Sequence, residues 1–308
     1  MSSANRDALD KVTTGDFAGG GLLSDKQFEQ FYQKVQDQTV LMPRIRIQPV
    51  DAPKGQIDKI GVGERLLREA TEGESSGDSG LNSPNTGKID YSVTKVELPW
   101  ELSNETLEDT IEHENTANIL LNKFTRQFGV DIEDLGANGD ESSGDSFIGI
   151  EDGWIKLATD QGSPTYDHQN AAIDKSVFSN VRHLLDQKYK RTQNLVFVGS
   201  GSQKEEFEEY VTDRSTAAGD AMLMNGDDPT PFGYDWITPP SWPDDTIMFV
   251  DPQNLLFIPQ RRQKVNMTTE GEAIVRRDLY AIYNMIARAD FQIEEAEGVA
   301  LATNIAAP

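Results

Sequence analysis

The spacing of apolar residues changes along the chain and predicts helices, a long polar hairpin and strands in succession. Residues 24–41, SDKQFEQFYQKVQDQTVL, repeat apolar positions at helical spacing after a capping Ser24, which predicts a short amphipathic helix. Its apolar positions are Phe28, Phe31, Tyr32 and Val35. Pro43 ends this helix, and RIRIQPV after it alternates charged and apolar residues, as a strand with one exposed face does.

A long segment rich in glycine and charge occupies residues 54–94. Its flanks, IDKIGVG and KIDYSVTKVELPW, have the composition of two antiparallel strands, so we predict a long hairpin with the polar tip ATEGESSGDSGLNSPNTG. The letters ESSGDS recur at 141–146. Neither copy has the oxygen-ligand register and closing glutamate of a calcium loop, which favours two polar loops over two calcium sites.

The longest helical pattern follows the hairpin. Ser103 can cap it, and Glu105 and Glu108 suit the positive end of its dipole. One apolar stripe runs through Leu107, Ile111, Ala117, Leu121, Phe124, Phe128, Ile132 and Leu135. This pattern predicts a helix of some thirty residues, with an earlier end at Gly129 left open.

The second half of the chain reads as a mixture of elements. FIGIEDGWIKLA is typical of a short strand and turn with Trp154 in the core, and DKSVFSNVRHLLDQKYK predicts a second helix. The inward positions of that helix are Val177, Val181, Leu184 and Leu185. Residues 213–251, rich in proline and glycine, predict loops, and alternation from Leu255 onward predicts strands, most clearly in DLYAIYNMIARADFQI.

The stretch LVFVGSGSQKEEFEEYV has the layout of a phosphate-binding loop between a strand and a helix. Its residues depart from the known fingerprints, because Lys204 stands where a dinucleotide loop needs its third glycine after Gly199 and Gly201. The Gly-Lys-Ser/Thr of a Walker loop is also absent. We therefore predict an ordinary joint between a strand and a helix.

Composition narrows the function classes. The chain of 308 residues is long enough for one large domain or two ordinary ones. It has no cysteine, which excludes disulfides, thiolate metal sites and a thiol nucleophile, and its three scattered histidines do not suggest a metal site. Without an apolar run long enough for a bilayer or a signal peptide, the protein is expected to be soluble and cytoplasmic.

Charge is the most unusual property of the sequence. It has 52 acidic and 28 basic residues, a formal net charge of −24, and its acidity is spread along most of the chain. Molar salt screens such self-repulsion within about 3 Å. The composition favours a salt-loving host, with an ordinary acidic protein as the alternative, and it disfavours sequence-specific binding to nucleic acids.

The order of these segments, together with several short stretches of sequence, is typical of one protein family. A glycine-rich arm ending GGGLL, then VLMPRIRI, the long hairpin, the long helix, GIEDGWIK, and finally IARADFQIEEAEGVALAT follow one another. This order resembles the major capsid proteins of tailed viruses with the Hong Kong 97-type fold. The resemblance covers nearly the whole chain and rests on the order of elements, since the family has no short diagnostic motif.

The resemblance implies an α+β fold with named parts. It assigns an N-terminal arm and short helix to residues 1–44, an extended β-hairpin loop to 45–97, a peripheral domain to 98–198, an axial domain to 199–254, and C-terminal strands that return to the core to 255–308. The spine helix of the peripheral domain would run from Leu102 to Leu135.

The function implied by the resemblance is structural. The protein would assemble into hexamers and pentamers of an icosahedral shell around viral double-stranded DNA, without sequence specificity. It would need no catalytic residue, cofactor, metal or membrane. Its other partners would be a portal and decoration or scaffold proteins, and its location the virion capsid after assembly in the host cytoplasm. With the acidic composition, this indicates a head-tail virus of a haloarchaeon.

Candidate residues for contacts between subunits are Arg44, Arg46, Arg65 and Arg68, the densest positive charge in the first hundred residues. They suit the carboxylates of a neighbouring copy, although simple solvation accounts for them equally well. Lysine–asparagine crosslinks, which some family members form, are not expected at Lys54, Lys59 or Lys88. Two alternatives remain: the shell of an encapsulin-like nanocompartment, and a halophilic nucleotide-binding enzyme that uses GSGSQK.

Overall fold

A computed structural model describes residues 21–22, 35, 39–61, 85–105, 116–190, 194–212, 230–261 and 264–308. Its strands are β1 (Gly21–Leu22), β2 (Arg46–Ile47), β3 (Lys54–Gly61), β4 (Asn85–Ser92), β5 (Thr94–Ser103), β6 (Thr165–Ala171), β7 (Val196–Val198), β8 (Trp236–Ile237), β9 (Ile247–Val250), β10 (Leu255–Pro259), β11 (Lys264–Thr268), β12 (Leu279–Ile293) and β13 (Val299–Ile305). Its helices are α1 (Thr116–Asn138), α2 (Trp154–Asp160), α3 (Lys175–Leu184), α4 (Gln187–Lys190), α5 (Gly201–Thr212) and α6 (Glu272–Arg277).

One sheet is built around β12, the long strand that the sequence predicts. The strand order is β1-β11-β12-β10-β2, and β5 also pairs with β12 in antiparallel register, from Ser103 opposite Leu279 to Thr94 opposite Ala289. Residues of β12 alternate between buried and more exposed positions from Leu279 to Arg288, which confirms the predicted pleat. This strand therefore connects the hairpin side of the molecule to the rest of the sheet.

The second sheet, in the order β6-β13-β9-β7-β8, has its two faces in different apolar clusters. Every residue of β7 and β9 is buried. One cluster includes Phe197, Ile247, Phe249, Ala300 and Ala302. The other includes Val196, Val198, Met248, Val250, Val299 and Leu301. Because neighbouring side chains of a strand point to opposite faces, a continuous apolar run is what a sheet covered on both faces requires.

The long helix departs from the prediction at both ends. Leu102 and Ser103 belong to β5, where Leu102 is buried beside β12, so the strand includes Ser103, predicted to cap the helix, and Leu102, which the resemblance assigned to the spine helix. Asn104 and Glu105 are helical, and residues 106–115 lie outside the described part. At the other end α1 passes through Gly129 to Asn138, so an early end at Gly129 is wrong.

Two further predictions need correction, and one strand was not predicted. FIGIEDGWIKLA forms a 3-10 turn at Ile148–Ile150 and then α2, not a strand, although Trp154 is buried as predicted and donates its indole N–H to Leu256 O at 3.2 Å. Leu184, predicted to point inward, is 37% exposed, whereas Leu185 after the helix end is buried as predicted. The polar strand β6 has no apolar alternation to predict it and pairs in parallel with β13.

The hairpin is confirmed in its two strands. β3 and β4 pair antiparallel from Lys54 opposite Ser92 to Gly61 opposite Asn85, while residues 62–84 lie outside the described part. Val93 then interrupts the strand, and the chain continues as β5 within the large sheet. Of the predicted helix at 24–41, Val35 is helical and buried, whereas residues 39–41 are not helical, so the helix does not extend to Pro43 as predicted; residues 24–34 and 36–38 lie outside the described part.

Candidate assembly site at the hairpin base

The GSGSQK stretch forms a capped joint between β7 and α5. Ser200 Oγ accepts the backbone N–H of Gln203 at 3.1 Å, which satisfies an amide that a bound phosphate would need. The buried Gln203 side chain donates to Asp244 O at 2.5 Å and to Ala306 O at 2.8 Å. These hydrogen bonds connect the start of α5 to Asp244 and to Ala306 near residue 308. The arrangement agrees with the predicted joint between a strand and a helix.

The hairpin is tied to the body of the molecule by Lys59. Its Nζ lies 2.8 Å from Glu295 Oε1 and donates to Glu294 O at 3.0 Å. Tyr189 also donates to the Glu295 carboxylate, at 2.6 Å. Hydrogen bonds from Lys59 and Tyr189 hold the pKa of Glu295 below its usual value. Charge-assisted bonds of this kind are shorter and stronger than neutral ones, so this contact attaches β3 to the body at a point beyond its first residues.

The turn of residues 294–297, which binds Lys59, also forms ion pairs with basic side chains from other elements. Arg46 on β2 lies 3.0 Å from Glu294, and Lys188 on α4 lies 3.1 Å from Glu297. The Asn254 side chain accepts the N–H of Glu295 and donates to its carbonyl, both at 2.8 Å, and so fixes the backbone of the turn. Segments far apart in sequence thus converge on the residues that follow β12.

The opposite side of the hairpin base rests on two buried carboxyl groups. Asp290 Oδ2 accepts the N–H of Ser92 at 2.7 Å, and the Glu151 side chain is hydrogen-bonded to Thr94. Burial is the main cause that raises the pKa of Glu151 to about 7 and that of Asp290 to about 6. Ser92 and Thr94 flank Val93, so these contacts hold the point where the hairpin joins β5.

A small apolar cluster supports the hairpin between these polar contacts. Its buried members are Val50, Val93, Leu256 and Ile258. Ile57 of β3 and Tyr91 of β4 pack against it and are partly buried. The Tyr91 ring also covers its cross-strand partner Gly55, where an added Cβ would lie 2.6 Å from Tyr91 Oη. The hairpin therefore rests on few apolar contacts.

Two neighbouring clefts open beside this base. One, of about 450 Å³, is lined by residues that include Arg44, Asp235 and Asp251. The other, of about 280 Å³, shares Asp251 with the first and adds Glu294 and Glu295. Among the described residues, the charged groups on these walls are carboxylates and one arginine. The clefts are therefore acidic.

The structure separates the four arginines predicted for subunit contacts. Arg44 lies 3.5 Å from Asp235, in an exposed pair, and Arg46 belongs to the Glu294 cluster described above. Arg65 and Arg68 lie outside the described residues. The structure brings Arg46 and Lys59 to the same turn, while Arg44 lies at the larger cleft, and both described arginines have a carboxylate partner within the chain.

Sequence reasoning missed the carboxyl groups at the hairpin base. The consecutive Glu294 and Glu295, at the end of a predicted strand, were a usable signal for a cation-binding turn. Asp290 gave no such signal, because the alternation of β12 assigns it to the outward pleat, yet it is buried. The role of Glu151 depends on a loop folding back onto Thr94, which spacing along the chain does not indicate.

The described part of the chain contains neither a metal-binding cluster nor a helix that could span a membrane. Within it, no group of three or more histidine, aspartate or glutamate residues is arranged to hold a metal ion. None of the helices described above combines the length and the apolar character needed to cross a bilayer.

Comparison with known proteins identifies the family. Over 225 residues the chain is 30% identical to YqbE of Bacillus subtilis (strain 168), which is named as a prophage capsid protein, and the match covers 72% of this chain and 71% of the relative. The chain belongs to the family of phage capsid proteins. No model of a protein family matches the sequence.

Solved structures share the mixed α+β fold of this capsid protein. A chain of the satellite phage P4 procapsid matches with a TM-score of 0.71 at 14% identity, over 90% of each chain. A capsid chain of a native GTA particle matches with a TM-score of 0.57 at 15% identity, over 88% of this chain and 91% of that one. The SrpI encapsulin of Synechococcus elongatus PCC 7942 gives 0.55 at 11% identity, over 86% and 87%.

Proposed function

We propose that this capsid protein has the Hong Kong 97-type fold and assembles into hexamers and pentamers of an icosahedral shell that encloses viral double-stranded DNA. The observation that carries the proposal is the sequence match to a prophage capsid protein over most of the chain. The shared fold with a P4 procapsid chain supports it independently. A shell protein acts through its surfaces, so the proposal requires no catalytic group.

The proposed parts of the fold follow the boundaries expected from the sequence. We assign the N-terminal arm to residues 1–44, the extended loop to 45–97, the peripheral domain to 98–198, the axial domain to 199–254 and the returning strands to 255–308. The paired strands β3 and β4 support the second assignment, and the long α1 supports a spine helix that ends at Asn138.

The physical role of the hairpin follows from its attachment. A subunit that occupies both six-fold and five-fold rings needs a rigid core and a few elements that adjust to each neighbour. The hairpin base combines ion pairs with a small apolar cluster, which permits adjustment without unfolding the sheet around β12. The net charge of −24 suits a wall that faces packed DNA without adhering to it.

The proposal extends to the host and the partners. The acidic composition supports a salt-loving host and therefore a virus of a haloarchaeon. A closed shell filled with DNA requires a portal, and its size control requires a scaffold or decoration protein. Assembly would take place in the host cytoplasm, and the finished protein would be part of the virion capsid.

Electron microscopy of the purified protein at molar salt tests the proposal. We expect closed icosahedral shells or ring-shaped capsomers, and light scattering should fall as the salt is diluted and subunit charges repel one another. Particles isolated from a productive infection should contain nuclease-protected DNA. A small oligomer of unchanged size at every salt concentration would reject shell formation.

The arginine contacts remain part of the proposal. We keep Arg44, Arg46, Arg65 and Arg68 as the residues that contact a neighbour's carboxylates, and Arg44 and Arg46 also pair with carboxylates within the chain. Reversing both charges, as Arg65→Glu with Arg68→Glu, should prevent shell formation while circular dichroism shows a folded subunit. Intact particles from this double variant would remove these arginines from the interface.

An encapsulin-like compartment is the second candidate, and its support is the fold shared with SrpI. The contents of the particle distinguish the two, since a compartment would enclose a protein cargo and a virion would enclose DNA. An enzyme that uses GSGSQK has less support, because Ser200 and Gln203 employ the polar groups of that loop within the chain. It would require thermal stabilisation of the protein by a nucleotide.

A further inference from the structure

The two carboxyl groups at the hairpin base lie in an environment that lacks compensating charge. Glu151 is 8% exposed and Asp290 is 2% exposed. Their hydrogen-bond partners, Ser92, Thr94, Gln292 and the Phe291 amide, are all neutral. Glu151 Oε2 is buried and has no hydrogen-bond partner among the described residues. Burial of a charged carboxylate under these conditions is costly, and the usual response is to bind a proton.

The charges that act on this pair make ionisation still less favourable. The carboxyls of Asp290, Glu141 and Asp152 act on Glu151, and Glu141 also acts on Asp290. These groups come from β12 and from the loop after α1, the elements packed around the pair. Each of them is negative when ionised. When two carboxyls interact in this way, their protons leave in steps that belong to the pair and not to either residue.

The position of the pair gives its ionisation a structural consequence. Asp290 holds the backbone of Ser92, the last residue of β4, and Glu151 holds the side chain of Thr94, the first residue of β5. Any movement that separates the two carboxyls therefore also moves the joint between hairpin and sheet. No comparable pair supports the Lys59 side of the base within the described residues, where the contacts are ion pairs.

We propose that Glu151 and Asp290 form a proton-binding site that fixes the joint between the hairpin and β5 while it holds a proton and loosens the joint when both carboxyls ionise. The proton cancels one of two buried negative charges, so the site no longer holds two ionised carboxylates without compensating charge. The site is a property of the single chain, so it does not depend on shell formation.

The direction of the pH effect follows from the two pKa values. Both folded-state values, about 7 for Glu151 and about 6 for Asp290, lie above the ordinary carboxyl range. The folded chain therefore binds more protons than the unfolded chain between these limits, and stability falls as pH rises. The contribution of the pair is complete in acid below the ordinary carboxyl pKa and is lost as pH rises through about 6 to about 7.

Hydrogen exchange of the full-length protein tests the proposal. Mass spectrometry at pH values on either side of neutrality, corrected for intrinsic exchange rates, should show protection of the peptide around Ser92 falling roughly tenfold as the pair ionises. Glu151→Gln keeps the shape and removes the charge, so this variant should stay protected at the higher pH. Glu133→Gln is the matched control, because Glu133 is also buried but binds the amides of Leu41 and Met42, away from the hairpin.

A second measurement uses the unmodified protein, so the test does not depend on whether a variant folds. Carbon-13 resonances of labelled carboxyl groups in the unmodified protein should show two carboxyls that titrate near neutrality, well above the ordinary range. Titration of every glutamate and aspartate in the ordinary range would overturn the site. If the two carboxyls titrate near neutrality but exchange protection of the hairpin does not change with pH, the proposed effect of the site on the joint is overturned.

Discussion

The sheet of β7, β9 and β13 and the hairpin of β3 and β4 are stabilised in different ways. Every side chain of β7 and β9 is buried, and rings such as Phe197 and Phe249 stack at 4.4 Å between centroids. The hairpin has two strands, and its contacts with the body are Lys59, a pair of buried carboxyls and the side chains of Ile57 and Tyr91. A two-stranded hairpin is marginally stable by itself.

Because of this difference, the core and the hairpin should respond differently to salt and pH. Burial of apolar surface depends little on pH and is strengthened by excluded salts. Ion pairs at a partly exposed base weaken as salt screens them. The chain therefore combines a core that salt supports with a hairpin whose attachment depends on salt and, at the proposed proton-binding site, on pH. This combination suits the proposed shell subunit.

The largest effect is expected in the core. Phe249→Ala removes a fully buried ring from the second sheet and should lower the free energy of unfolding by about 3–5 kcal/mol, because a cavity remains. Denaturant titration followed by circular dichroism measures the loss. Phe232→Ala makes the same change at a ring that is 40% exposed and serves as the control, with a loss of at most about 1 kcal/mol. Equal losses would contradict the assignment of the core.

A smaller effect is expected at the hairpin. Gly55→Ala places a Cβ within 2.6 Å of Tyr91 Oη, so the Tyr91 ring must leave its contact with the apolar cluster. We expect local protection of the hairpin to fall by about 1 kcal/mol relative to the control, with the core unchanged. Gly87→Ala is that control, since its Cβ would meet the Lys59 side chain at an ordinary 3.6 Å. Identical exchange in the two variants would show that Tyr91 does not anchor the hairpin.

The smallest effect is expected for the exposed ion pair. Lys59→Met keeps the aliphatic stem and removes the charge, and its partner Glu295 is 38% exposed at the side chain. Hairpin protection should fall by about 0.5–1 kcal/mol at low salt, and the difference should vanish at molar salt. Lys95→Met, which removes the exposed pair with Glu97, should have no effect on the hairpin. A loss that persists at molar salt would assign Lys59 a packing role instead.

The same comparison explains what could be predicted from the sequence. Alternating buried and exposed positions predicted β12, which pairs with β5 and β10. The composition of the segments on either side of the polar tip predicted the two hairpin strands. The predicted start of the long helix at Ser103 was wrong because pairing with β12 overrides the local capping signal there. Trp154 was predicted in the core, but its helix was not, since the glycines around it resembled a turn.

The candidate site was less predictable than the fold. Lys59 and Glu295 are 236 positions apart, and neither is preceded by a motif that would link them. The buried carboxyls follow from tertiary packing alone, because Asp290 departs from the alternation of its strand and Glu151 lies in a loop. Residue patterns predict helices and strands whose periodicity is present in their own sequence. They do not predict contacts between segments that are far apart in the chain.

Hydrogen exchange of the unmodified protein at low and at molar salt tests the difference between core and hairpin most directly. Salt screens the net charge of −24, so protection of β7, β9 and β13 should rise. The same salt weakens the ion pairs of Lys59 and Arg46, so protection of β3 and β4 should fall relative to the core. Parallel changes in both regions would contradict the account, because the hairpin would then be held by the same forces as the core.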